Sequence, residues 1–233
     1  MLDSIEEARK TLSILKSRLG RGQEHAGAEV ANAIDALLQV LEIADAADKH
    51  DQVLAPAEIT DMGEQGLMLI DNLVLKLASQ QRESEKQDVE QVALVIARWV
   101  IAHQGMLTNI QSIVNGLACL ANAVQDKASL SRLATVMNQI AQACSDEIKH
   151  DLDNTNPSRP WRILNINCGI VATRSNDLDL MRVVFPGLIQ AIPLDAPGFF
   201  EEGMSEMSRL NYPEPVRELM QEFYDRTKLP AVH

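Results

Sequence analysis

The residue groupings that could hold a metal are two His-Asp dipeptides, His50-Asp51 and His150-Asp151, and one Glu-x-x-His, Glu147 to His150. An imidazole nitrogen beside a carboxylate oxygen suits Zn, Fe or Mn. A di-iron carboxylate bundle, however, needs Glu-x-x-His twice plus two further inward glutamates, and the sequence contains the motif once. Lys49 and Lys149 precede the two dipeptides, as expected where a helix ends and cations meet the negative end of its dipole. The expectation is therefore no metal and no cofactor.

The dipeptides resemble the metal-binding element of the all-helical HD phosphohydrolases, which also need a separate upstream His, a place His25 could fill, and a downstream Asp. The placement at helix ends favours the dipole reading instead. There is no His-Glu-x-x-His, Cys-x-x-Cys, glycine-rich phosphate loop or Gly-x-Ser-x-Gly. The commoner signatures of metalloproteases, thiol redox enzymes, NTPases and hydrolases are thus missing. Glu201, Glu202 and Glu206, with Arg209 beyond them, read as a solvated helix face.

Two ionic residues interrupt apolar runs. Asp71 sits between Leu67-Met-Leu-Ile70 and Leu73-Val-Leu75, and Arg98 sits inside Val92 to Ala102, close to Trp99 and His103. Burying either charge alone costs several kcal/mol, on the order expected for unpaired ions. A hairpin turning near residues 84 and 85 brings the two to one height, so a buried Asp71–Arg98 pair is expected.

The stretch after Trp161 carries Arg162, Asn165, Asn167 and Arg174 among Ile163, Leu164, Ile166, Ile170 and Val171. Between residues 158 and 182 four arginines face two aspartates, an inversion in a chain of net charge -12. A guanidinium fork and an amide can grip a carboxylate or a peptide backbone. These four residues are the candidate ligand- or peptide-binding set.

Helices must position these groups. Apolar residues recur at three- and four-residue steps, as in Ile5, Ala8, Leu12, Leu15 and Leu19, or Val30, Ile34, Leu37, Leu41 and Ala44. The spacing predicts long helices over about 4–19, 24–49, 56–80, up to 102, 107–126 and 129–150, the first capped by Asp3 or Ser4 and stopped by Gly20, the fourth stopped by Gly105. After residue 153 come eight of the nine prolines and seven of the eight aromatic residues. Prolines at such intervals force short helices, expected over 160–174, 177–191, 196–210 and 213–228. Trp161-x-x-Leu164 matches the opening of a tetratricopeptide repeat, but Asn165 and Cys168 stand where that repeat has Gly and Tyr. The expected fold is all-α: antiparallel hairpins forming a bundle or a short α–α superhelix, with a six-helix aliphatic segment over 1–152 and a four-helix aromatic, Pro-rich segment over 153–233 packed on it as one unit.

Charge and composition bound the partners. With 33 acidic against 21 basic residues and 3% aromatics, the chain repels phosphate backbones and lacks stacking platforms, so nucleic acid is not expected. No apolar run approaches the roughly 20 residues of a membrane span, and the N-terminus has no basic-then-apolar leader pattern. Three separated cysteines among apolar neighbours fit a reducing compartment, hence a cytoplasmic location. The leading expectation is a cytosolic helical adaptor for a protein or peptide, able also to assemble with its own copies. The alternative is a helical enzyme or small-ligand binder with a polar site between the segments, near Asp71, Arg98, His103, Arg162 and Arg174.

Overall fold

A computed structural model describes residues 4–19, 25–50 and 53–228. The expected Asp3 cap, the Gly20 stop, the start of the second helix at Glu24 and the Asp51 half of one dipeptide lie outside these residues. The fold is all-α: among the described residues there are eleven helices and no strand. They are α1 (Ile5–Leu19), α2 (His25–Lys49), α3 (Pro56–Ser79), α4 (Glu83–Ala102), α5 (Gln111–Ala123), α6 (Lys127–Ala143), α7 (Asp146–Lys149), α8 (Pro160–Ser175), α9 (Leu178–Ala191), α10 (Ala196–Leu210) and α11 (Glu214–Thr227). Among the described residues no helix is long and apolar enough to cross a membrane.

The chain divides into two compact units, Met1–Leu120 with Gln142–Ile148, and Ala121–Ala141 with Lys149–His233. The composition step at residue 153 is thus not where the units part. Residues 121–141 belong with the later helices for specific reasons. Cys168 Sγ lies 3.5 Å from the Ala134 carbonyl, Ser131 donates to Asp177 at 3.0 Å, and Arg174 holds carbonyls at the end of α5.

In the first unit, α1 packs on α2, α2 on α3, α3 on α4, and α4 back on α1. That closed ring is a bundle, which settles for this unit the choice the sequence left open between bundle and superhelix. Each helix turns its three- and four-residue stripe inward: Leu12 and Leu15, Ile34 and Leu37, Ile70 and Leu73 are buried. α4 is buried almost all round from Val89 to Ala97, as its composition requires. It ends with Gln104 in the left-handed region at φ 61°, so the stop is Gln104 rather than Gly105.

Helices five and six are shorter than their spacing predicts. Leu107 N donates to the Ala143 carbonyl and Ser145 N to the Leu107 carbonyl, both at 2.8 Å, forming one isolated parallel bridge between Leu107 and Cys144. Backbone groups paired this way are unavailable to a helix ladder. Accordingly α5 begins only at Gln111, α6 stops at Ala143, and the short α7 follows.

In the second unit α8 packs on α9, α9 on α11 and α11 on α10. Phe185, Phe199, Phe200 and Phe223 interlock as its core, mostly edge to face at 5.0–6.1 Å between centroids. Four of the seven late aromatics therefore form one cluster. Burial pushes the Cys168 thiol up to about 12, so it is a neutral core side chain.

Candidate functional site

In the second unit α8 and α10 both line one concavity, while Phe199 of α10 reaches Gly169 of α8. α8 and α10 face each other across a groove of about 520 Å³, within the size range of ligand pockets. From α8 come Arg162, Ile166, Ile170, Thr173 and Arg174, a stripe at helical spacing about 18 Å long at 1.5 Å per residue. From α10 come Gly198, Phe199, Glu202, Gly203, Glu206, Met207 and Leu210, with Met220 of α11 beneath.

Phe199 makes the floor. Its ring reaches so close to α8 that a Cβ on Gly169 would lie 2.6 Å from Cζ, and only glycine admits it. At Gly198, by contrast, a Cβ would meet nothing within 4 Å and would project into the open space. The rim is apolar and solvent-facing: Ile170 is 43% exposed, Leu194 75% and Leu210 54%. Three large exposed apolar side chains are thus gathered around one concavity.

Ion pairs close one end. Arg162 Nε donates to Asp195 at 2.6 Å, and the buried Arg159 donates to the same carboxylate at 2.5 Å and to Asp151 at 2.6 Å. Burial opposes ionisation of Asp195, but the Arg162 and Arg159 guanidiniums outweigh it and hold the carboxyl below its usual range. Hydrogen bonding to Asp151, ahead of the opposing effect of burial, raises the Arg159 pKa further above its already high value.

At the other end Arg174 donates to the Ala121 and Val124 carbonyls at 2.7 and 2.9 Å, capping the C-terminus of α5 where the dipole is negative. Tyr212 stands beside it; burial raises its hydroxyl pKa, with Arg174 opposing and Glu206 reinforcing the rise. Glu206 accepts from the exposed Arg209 at 2.7 Å. Glu202 is exposed, and its side chain makes no hydrogen bond or ion pair among the described residues.

Of the four binding candidates, Arg162 and Arg174 line this groove, and Asn165 and Asn167 do not. Asn165 is buried and donates to the Trp161 carbonyl one turn back at 2.9 Å, and Asn167 is half-buried outside the groove. The sequence reading missed Arg159, Gly198 and Tyr212. Ile170, out of step with the buried residues of α8, is the residue that could have signalled the groove; Leu194 lies between α9 and α10, and Leu210 continues the α10 stripe.

The expected buried Asp71–Arg98 pair does not form. Asp71 instead accepts from Asn109 Nδ2 at 2.5 Å and from the buried Ser112 Oγ, and both Asp71 and Arg98 are half-buried. Hairpin register fixes height along a helix but not direction around it. Asp71 sits on the flank of α3 that meets the segment leading into α5. His103 and Trp99 share Asp48, through Nε2 and Nε1 at 3.0 Å each. In α4, Glu90 is buried against Asn115 at 3.1 Å and Lys86 at 3.9 Å, and burial raises its carboxyl pKa. Among the described residues no three His, Cys, Asp or Glu side chains are grouped to hold a metal ion.

No protein-family model, curated protein or solved structure matches this chain, so the groove's own geometry carries the functional reading.

Proposed function

We propose that this protein is a cytosolic helical adaptor that binds a peptide segment of a protein partner in the α8–α10 groove. The observation that carries the reading is the concavity of about 520 Å³ between α8 and α10, with an aromatic floor and three exposed apolar residues on its rim. The charges around it support binding over chemistry. Arg162 is held by Asp195 and Arg174 by backbone carbonyls, so both shape the groove more than they attack or protonate anything. Among the sequence candidates the reading rests on Arg162 and Arg174, with Asn165 and Asn167 outside it.

The test is comparative capture from native lysate with the native chain and with Gly198→Leu, which fills the groove. A protein retained by the first and lost from the second supports the adaptor. Equal retention by both removes the groove from the reading. The volume also suits a small apolar ligand. A metabolite recovered from the native chain alone, with no groove-dependent protein, would favour that alternative.

A further inference from the structure

Resting on the groove reading above, we propose that the occupant is an amphipathic helix of a partner protein whose apolar face is flanked by lysine or arginine set against Glu202 and Glu206. The lining asks for helical shape: the α8 wall of the groove runs about 18 Å from Arg162 to Arg174, the length of a three-turn helix. Phe199, Met207 and Met220 offer an apolar bed, and methionine adapts to irregular side chains.

Charge then selects among amphipathic helices. The cations of the groove are already occupied: Arg162 by Asp195 and the Pro157 carbonyl, Arg174 by two carbonyls at the end of α5. On the α10 wall Glu202 makes no ion pair among the described residues, and Glu206 has only Arg209, itself 71% exposed. A cation beside Glu202 gains attraction that no described partner supplies, Glu206 adds what the exposed Arg209 leaves, and an acidic flank is repelled. The net charge of -12 adds long-range steering in the same sense.

The experiment measures fluorescence polarisation of labelled helical peptides of about 14 residues, ~21 Å long, titrated with the full chain. All share one leucine–isoleucine face and differ only in Lys, Gln or Glu at the flanks. The Lys peptide should bind about tenfold tighter than the Gln peptide, and the Glu peptide weakest. Glu202→Lys with Glu206→Lys should reverse that order, and Asp179→Lys with Glu218→Lys, the same charge change outside the groove, should leave it intact. Gly198→Leu should abolish binding of every peptide while keeping native thermal stability.

Equal binding of Lys and Gln peptides, or reversal by the distant pair as well, overturns the basic-helix inference and leaves the groove reading standing. Binding that survives Gly198→Leu, or no binding by any peptide, overturns both.

Discussion

Arg162 and Asp195 meet at 2.6 Å across the end of the α8–α10 groove, and the same carboxylate takes the buried Arg159 from behind. One aspartate thus both shapes the groove and neutralises a buried cation. The two arginines are unequal: Arg159 is 5% exposed and Arg162 31%.

Truncating the shared carboxylate should cost more than truncating its exposed partner. Asp195→Ala takes one contact from each arginine but leaves the buried Arg159 its two bonds to Asp151, so a loss of about 1–3 kcal/mol is expected in urea denaturation. Arg162→Ala should cost about 1 kcal/mol or less, because its guanidinium is partly in water. Equal losses from the two variants would mean that the Arg159–Asp195 bond adds nothing.

The acid limb of stability should carry the signature of Asp195. Its folded pKa is held below the ordinary value, so its contribution is complete above the unfolded carboxylate pKa of about 3.9 and is lost as pH falls through the lower folded value. Urea midpoints measured from pH 6 down to 3, on a range of about three units around that pKa, should fall steeply for the native chain and less steeply for Asp195→Asn.

Glu90 should behave in the opposite sense. Burial raises its folded pKa, so the folded chain binds the proton more tightly than the unfolded one, and stability from this group declines as pH rises from the unfolded value through the folded one. Glu90→Gln keeps an acceptor for Asn115 and removes the buried charge. The variant should be more stable than the native chain near pH 7, about three units above the unfolded carboxylate pKa, and the difference should vanish on acidification. A destabilised Glu90→Gln at neutral pH would mean that Lys86 outweighs burial.

Two glycines of the second unit should respond with opposite signs. Gly169→Ala drives a methyl against Phe199, at 2.6 Å from Cζ, and should cost about 1–3 kcal/mol through overpacking. Gly198→Ala adds a methyl to open space within a helix and should gain up to about 1 kcal/mol. Thermal melts of the two variants read both changes.

Asp71 should couple to Ser112. Asp71→Ala leaves the buried Ser112 hydroxyl without its acceptor, at a cost of about 1–3 kcal/mol, and adding Ser112→Ala should cost little more. Additive losses in the double-mutant cycle would mean that the two do not share a hydrogen bond.

The sequence by itself determined the helices and their inward faces, because a three- and four-residue apolar rhythm is local and prolines at 160, 197 and 215 fall in first turns where they fit. The late aromatics and Arg162 were likewise visible as a change of composition. What only the tertiary structure decided is direction around each helix. Asp71 and Arg98 lie on neighbouring helices, yet Asp71 reaches Ser112, because azimuth depends on which flank each helix buries. The bridge from Leu107 to Cys144 joins residues far apart in sequence, and no local pattern announces a backbone pairing of that kind. The groove has the same origin. Which flanks of α8 and α10 face one concavity is set by how separated hairpins pack, and no helix read alone shows it.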